Sequence, residues 1–157
     1  MGPPVRCPLS QGGGKRRGMA VVAIHPDLFT LPGDPRGPRL FAGHCADCGG
    51  YHFPASETCP YCGAGACAVT AIGARGTLAL FTVVNARPPG YLGPLPYGFG
   101  VVDLAEGMRV VTRLAESRIE RLRAGMAVKL EIAPLFTNDA GDDVLSFAYA
   151  PAEPEDG

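Results

Sequence analysis

The sequence contains no tryptophan, and its aromatic share is only 8%. It also lacks an excess of charge of either sign, because 14 basic and 15 acidic residues give a net charge of −1. Proteins that bind single-stranded nucleic acid usually combine a positive groove with aromatic platforms, so this composition argues against that role. The balance of charge likewise provides no general attraction to an anionic membrane.

Long hydrophobic runs are absent as well. No segment approaches the ~20 consecutive apolar residues that a membrane-spanning helix requires. The run Val21–Ile24 follows the basic residues Lys15–Arg17, but it is too short for a secretory signal and no small-residue cleavage site follows it. We therefore predict a cytoplasmic protein. Thiols stay reduced in that compartment, which suits metal ligation better than disulfides.

Signatures of catalysis are also missing. The sequence has no Gly-x-Ser-x-Gly elbow, no Walker loop and no Gly-x-Gly-x-x-Gly motif after a strand. Three histidines, His25, His44 and His52, all precede the β-rich half of the chain. The sequence therefore predicts a protein that is not catalytic by itself.

Two Cys-x2-Cys pairs dominate what is present, with ten residues between them. Each pair has the spacing of a metal-binding knuckle, and four thiolates form a tetrahedron that suits Zn²⁺ at metal–sulfur distances of roughly 2.3 Å. Four protein ligands leave no open position at which the metal could activate water. We predict a structural zinc held by Cys45, Cys48, Cys59 and Cys62.

Other ligands and another metal remain as alternatives. His44, His52 and Cys67 lie close to the pairs, but four cysteines make a histidine ligand unnecessary, and a free cysteine such as Cys67 is usually a small buried apolar residue. Iron in a rubredoxin-like site is the chemical alternative, because the same four sulfurs accept either metal. Ligand type leaves zinc and iron open.

Composition divides the chain into five segments. We predict a disordered tail at residues 1–24, a proline-containing lead-in at 25–39, a zinc ribbon at 40–70, a β-rich domain at 71–150 and a loose acidic end at 151–157. The twenty-two glycines and sixteen prolines favour short strands and turns over long helices.

The β-rich domain contains five predicted strands, which are Thr77–Val84, Tyr97–Leu104, Met108–Leu114, Val128–Ile132 and Val144–Tyr149. Ala105–Gly107 is a predicted hairpin turn. Ser117–Glu120 has a capping-box pattern and Gly125 has the place of a C-terminal cap, so one short helix is expected between them. Five strands with a short helix after the third is the order of an OB-fold barrel. The predicted fold class is therefore mainly β, a rubredoxin-like zinc ribbon followed by a five-stranded OB-fold barrel.

Several motifs resemble those of a known family. They are the four cysteines, Gly76-Thr77-Leu78, the loop Arg87-Pro88-Pro89-Gly90, and the Gly125-Met126 turn before the fourth strand. Over residues 29–150 the sequence is similar to the zinc-ribbon/OB-fold proteins called domain of unknown function 35. The resemblance implies a non-catalytic accessory subunit that docks onto a thiolase-fold or hydratase-fold enzyme of acyl-CoA metabolism, with the zinc ribbon assisting the docking.

The same resemblance implies that the proline-rich loop lies near CoA. The phosphates of CoA favour arginine, and its pantetheine arm favours a narrow, stiff, apolar channel. We therefore name Arg87, Tyr91 and Tyr97 as predicted contacts of CoA or acyl-CoA shared with the partner. The alternative explanation is a surface loop that its prolines make rigid.

Two other functions compete with the accessory role. Zinc ribbons and OB-folds also bind nucleic acid, and Phe81, Tyr97 and Phe99 could supply a stacking platform, although core packing explains them more economically. An electron carrier with iron in the cysteine site is the third hypothesis. The accessory role additionally predicts a contiguous apolar patch that is exposed when the subunit is alone.

Overall fold

The computed structural model describes residues 20–153 of the 157-residue chain. Within this range the secondary structure is nine strands and one three-residue 3-10 helix, Ile119–Arg121. The strands are β1 (Val21–Ala23), β2 (Leu40–His44), β3 (Tyr51–His52), β4 (Ala68–Ile72), β5 (Arg75–Val84), β6 (Tyr97–Leu104), β7 (Arg109–Leu114), β8 (Ala127–Thr137) and β9 (Asp143–Pro151). The predicted mainly β class is confirmed.

The first sheet is the ribbon, in the order β3-β2-β4. Its central strand β2 is antiparallel to both neighbours, and Leu40 lies opposite Ile72 at the far end of the sheet. The lead-in segment packs along β2, because Phe29 forms a bridge with Leu40 and the Phe41 N–H donates to the Leu28 carbonyl over 2.9 Å. Strand β4 continues across the boundary predicted between residues 70 and 71.

The second sheet closes into a barrel of five strands. Strands β5, β6 and β7 form a meander, β9 pairs with both β7 and β8, and β8 returns to β5. The contact between β7 and β9 is short, with Leu114 opposite Tyr149. This is the strand order of an OB-fold, so the predicted barrel is confirmed.

Two glycines in β6 let neighbouring strands approach closely. A Cβ atom added at Gly98 would collide with the Glu116 carbonyl oxygen, and one added at Gly100 would collide with the Leu80 carbonyl oxygen. A glycine inside a strand often marks such a close backbone approach. These positions therefore have a packing role.

The ribbon and the barrel share one hydrophobic core. Leu40 and Ile72 of the ribbon are buried in the same cluster as Leu78 and Val102 of the barrel. Gly73 joins the two parts, and the buried Tyr149 hydroxyl donates a hydrogen bond of 2.7 Å to its carbonyl oxygen. The relative orientation of the two sheets is thus fixed by packing as well as by the chain connection.

Part of the predicted tail is ordered. Val21–Ala23 form β1, which pairs in parallel with β9, and the Ile24 N–H donates to the Leu145 carbonyl over 2.8 Å. The prediction of disorder for residues 1–24 is wrong over this stretch. Its apolar, β-branched residues pair through backbone hydrogen bonds with an edge of β9. Residues 1–19, and 154–157 of the acidic end, lie outside the described part of the chain.

The predicted capping box is also wrong. Arg118 precedes the 3-10 helix, and it makes no side-chain capping hydrogen bond. The Glu116 carboxylate instead accepts hydrogen bonds from the Arg118 backbone N–H and guanidinium, at 2.9–3.0 Å. Gly125 has a φ of 85°, and its N–H donates to the Leu78 carbonyl of the barrel. It lies in a separate turn beyond the 3-10 helix and does not cap that helix.

We expect Tyr149→Phe to lower the free energy of unfolding by about 1–3 kcal/mol, because it leaves the buried Gly73 carbonyl without its donor. The matched control is Tyr61→Phe, since the Tyr61 hydroxyl also donates to a backbone carbonyl but is exposed. Its expected effect is within about 0.5 kcal/mol. Urea denaturation measures both, and equal effects would contradict the proposed role of the junction.

Candidate metal centre

Two equivalent turns carry the paired cysteines. In the first, the Gly49 N–H donates to the Cys45 carbonyl over 2.9 Å; in the second, the Gly63 N–H donates to the Cys59 carbonyl over 3.0 Å. Gly49 and Gly63 have φ values of 72° and 76°, a left-handed conformation that glycine adopts without steric cost. The repeated geometry follows directly from Cys-x2-Cys-Gly at both sites.

The four predicted ligands meet in space. The Sγ atoms of Cys45, Cys48, Cys59 and Cys62 all lie within 4.8 Å of one another. The Cys45–Cys62 and Cys48–Cys59 sulfur pairs are both 3.6 Å apart. A tetrahedron with metal–sulfur bonds of about 2.3 Å has edges of about 3.8 Å, so the donor set fits a Zn²⁺ ion.

Each turn contributes one buried and one exposed sulfur ligand. Cys45 and Cys59 are buried, whereas Cys48 and Cys62 are exposed. The backbone N–H of Cys48, followed by that of Asp47, lowers the pKa of the Cys45 thiol to about 6. At Cys59 burial raises the pKa of the thiol, but the N–H groups of Cys62 and Tyr61 oppose it and the net direction is downward. At Cys48 and Cys62 the N–H groups of Gly50 and Ala64 also lower the pKa, but the neighbouring thiols and burial oppose them and the net direction is upward. The backbone N–H groups thus favour the thiolate at each sulfur, and the crowding of four thiols opposes it at two of them.

The neighbouring residues divide into two groups. The His44 ring stacks on Tyr51 with 4.5 Å between centroids, and His44 belongs to neither candidate metal cluster of the described residues. His52 and Cys67 lie close to Cys59 instead, with one ligand atom from each of the three residues within 4.8 Å of the others. The sequence does not reveal this second group, because its members follow no motif spacing.

The predicted CoA contacts also cluster. Arg87 Nη1 donates to the carbonyl oxygens of Tyr91 and Gly93 at 2.8 and 3.1 Å. The Tyr91 and Tyr97 rings lie 4.5 Å apart, and Tyr97 is buried. The guanidinium of Arg87 thus closes the proline-rich loop on itself, and contact of these residues with CoA stays a prediction.

An apolar row on the barrel surface was not identified from the sequence. Leu80 of β5 lies opposite Val101 of β6, which lies opposite Val111 of β7. Directly opposed residues point to the same face of a sheet, and Leu80 and Val111 are 65% and 62% exposed. On the next row, Phe99 faces outward between Thr82 and Arg113. The sequence of β6 and β7 shows which residues alternate between the two faces of each strand. Only the register between the strands shows that the outward residues lie side by side.

In the described range, residues 20–153, no helix is long and apolar enough to cross a membrane.

We expect Cys48→Ser to lose the structural metal and to lower the melting temperature, because the ligand set then lacks one thiolate and metal binding contributes to folding. Metal analysis of the purified protein and thermal denaturation measure the two effects. Cys7→Ser is the control, because it removes a thiol from the part of the sequence that precedes the described residues. Wild-type metal content and melting temperature in the Cys48 variant would show that the ligand assignment is wrong.

Known proteins with the same architecture match this chain. Residues 35–66 match the family described as ChsH2, rubredoxin-like zinc ribbon domain, and residues 69–133 match ChsH2, C-terminal OB-fold domain. The benzoylsuccinyl-CoA thiolase subunit BbsA of Thauera aromatica is 30% identical over 129 residues, which cover 82% of this chain and 88% of BbsA. A DUF35 domain-containing scaffold protein of Methanocaldococcus jannaschii is 25% identical over 111 residues, 70% of this chain and 78% of its own length.

A solved structure agrees with these relatives. The structure named Ltp2-ChsH2(DUF35) aldolase has a chain that is 25% identical, with a TM-score of 0.58, and the match covers 73% of this protein and 86% of that chain. The similarity extends through both the ribbon and the barrel. The chain therefore belongs to the ChsH2-like, DUF35 family of zinc-ribbon/OB-fold proteins.

Proposed function

We propose that this chain is a non-catalytic accessory subunit that docks onto a thiolase-fold enzyme acting on acyl-CoA. The main support is the similarity to BbsA, a thiolase subunit, which extends over 88% of the length of that protein. A thiolase-fold partner is preferred to a hydratase-fold partner for the same reason. The acyl-transfer chemistry would belong to the partner.

The ionisable side chains of the described region support a non-catalytic role. Asp103 is paired with Arg109, and Glu116 is paired with Arg118. His44 is stacked on a tyrosine and lies in neither metal cluster. A nucleophile must lie within hydrogen-bond reach of a base that activates it. The Ser56 hydroxyl lies 3.0 Å from Nε2 of His52, but it donates its proton to the Thr58 carbonyl over 2.7 Å, so this pair is not arranged as an activated nucleophile.

The metal is proposed to be structural Zn²⁺ rather than iron. The four cysteines would hold the ion, and the ion would supply a cross-link between the two turns of the ribbon. The ribbon in turn contributes Leu40 and Ile72 to the shared core. Loss of the ion would therefore disturb the shared core and, through it, the surface of the whole subunit. A docking protein would need the ion to keep that surface in shape.

The outer apolar row Leu80–Val101–Val111 is the proposed docking surface. Exposed contiguous apolar surface commonly marks a protein–protein interface. Arg113 lies beside it, opposite Phe99, and its guanidinium would pair with a carboxylate of the partner. Phe99 is the one aromatic residue on these rows, which gives little support to the alternative nucleic-acid role.

The proline-rich loop is proposed to line the CoA entry path of the complex. Arg87 holds the loop through two carbonyl oxygens, and its guanidinium carbon lies 6.0 Å from the centre of the Tyr91 ring. Leu92 is exposed on the same loop. A stiff apolar loop that carries a cation would match the pantetheine arm and the phosphates of CoA.

Co-purification tests the accessory role. We expect the native protein, isolated from its own cells, to recover a thiolase-fold subunit in comparable molar amount, identified by mass spectrometry. Leu80→Glu should reduce that recovery at least about tenfold, because an interface anchor contributes more than ~1 kcal/mol. The variant should still fold, since Leu80 is exposed.

Leu31→Glu is the matched control, because Leu31 is also exposed, to 53%, but belongs to the lead-in segment and not to the strands that form the row. It should leave recovery unchanged. If nucleic acid is recovered without a thiolase-fold subunit, the accessory role is wrong. If the subunit is recovered equally with Leu80→Glu, the role stands and the docking surface lies elsewhere.

A second experiment tests the CoA path. In the assembled complex, Arg87→Ala should raise the KM for acyl-CoA about tenfold with little change in kcat, as expected for loss of one charge-assisted contact. Arg87→Lys keeps the charge and should restore part of the loss. Arg123→Ala, at an exposed arginine after the 3-10 helix, is the control. An unchanged KM in Arg87→Ala would exclude the proposed contact.

A further inference from the structure

A histidine beside the four-cysteine cluster has an unsatisfied nitrogen. His52 is 95% buried, since its exposed fraction is 5%, and its Nδ1 has no hydrogen-bond partner among the described residues. The other nitrogen, Nε2, lies 3.0 Å from the Ser56 hydroxyl and 3.2 Å from both the carbonyl oxygen and the backbone nitrogen of Ser56. In the tautomer that donates from Nε2 to the Ser56 carbonyl, Nδ1 carries a lone pair. Buried polar atoms normally have a partner, so the free nitrogen requires an explanation.

Two sulfur atoms lie near this imidazole. One ring nitrogen of His52 and the Sγ atoms of Cys59 and Cys67 are all within 4.8 Å of one another. The Cys59 and Cys67 thiols interact with each other, whereas His52 Nδ1 makes no hydrogen bond to either sulfur. Imidazole nitrogen and thiolate sulfur are the ligands that soft and borderline divalent cations prefer.

Cys59 is common to both sulfur groups. It is a member of the four-cysteine cluster and of the His52–Cys59–Cys67 cluster. A cysteine thiolate has more than one lone pair, so a single sulfur can bridge two metal ions. The second group therefore adjoins the structural zinc and shares one of its ligands.

The local charge favours a further cation. Four thiolates around one Zn²⁺ carry a formal charge of −2, and Cys59 is buried. Cys67 opens into a cleft of about 430 Å³ whose lining includes the carboxylates of Asp27 and Glu57 and no lysine or arginine. A second divalent ion would offset this buried negative charge.

We propose that His52, Cys59 and Cys67 form a second metal site for a thiophilic divalent cation such as Zn²⁺, with Cys59 bridging it to the structural zinc. His52 would bind through Nδ1 and Cys67 through its thiolate, whose proton is released to solvent on binding. The fourth position opens to the cleft and would be taken by water or by the Glu57 carboxylate.

Cobalt titration of the full chain tests this site. The metal-free, reduced protein is titrated with Co²⁺, while thiolate-to-cobalt absorption is recorded and bound cobalt is counted after gel filtration. We expect saturation at two equivalents, of which the second gives the weaker absorption because it has two thiolate ligands rather than four.

Variants separate the second site from the first. Cys67→Ala and, separately, His52→Gln should each lose the second equivalent, and the four-thiolate spectrum of the first equivalent reports that the ribbon still folds. Cys7→Ala removes one thiol from the sequence before the described residues and should keep two equivalents. The assay needs no partner protein, so its result is independent of the docking proposal.

Saturation of the wild-type protein at one equivalent in excess Co²⁺ would overturn the proposal, and so would a second equivalent that persists in Cys67→Ala. If a variant loses the first-site spectrum as well, alkylation of cysteines in the wild-type protein tests whether Cys67 binds the second ion. Cys67 should then be protected from iodoacetamide only after the second equivalent of Co²⁺ is added, and equal labelling before and after would count against the site.

Discussion

Four sulfur atoms held within 4.8 Å of one another organise a ribbon that has very little secondary structure of its own. Strand β3 has two residues, and β2 and β4 have five each. So small a sheet buries too little apolar surface to be stable alone, which is the usual reason that small domains depend on a metal. A metal held by the four cysteines and the shared core would therefore stabilise each other.

This arrangement separates stability from recognition. Inward residues of the barrel strands, such as Leu78, Val102 and Leu114, are buried with the ribbon residues, whereas the outward residues of the same strands remain exposed. Because side chains alternate along a strand, the proposed docking surface can vary without disturbing the core. One fold can in this way carry different outer surfaces.

Sequence predictions failed where local patterns met competing tertiary contacts. Ser117–Glu120 has the residues of a capping box, yet Glu116 is bonded to Arg118 and only a single 3-10 turn forms. Val21–Ala23 lie within the tail for which composition predicts disorder, and this short run has no partner nearby in the sequence. Strand β9, more than a hundred residues away along the chain, provides that partner. Local propensity is a weak guide when the deciding contact is distant in sequence.

The sequence by itself determined the metal cluster, the mainly β class and the order of the barrel strands. Cys-x2-Cys-Gly fixes each turn through contacts of a few residues, and alternation identifies a strand without reference to its neighbours. Only the tertiary structure decided that Leu80, Val101 and Val111 form one row, and that His52 and Cys67 lie beside Cys59. These groupings depend on strand register and on the packing of segments far apart in the chain, and a one-residue shift of register would turn each side chain to the opposite face.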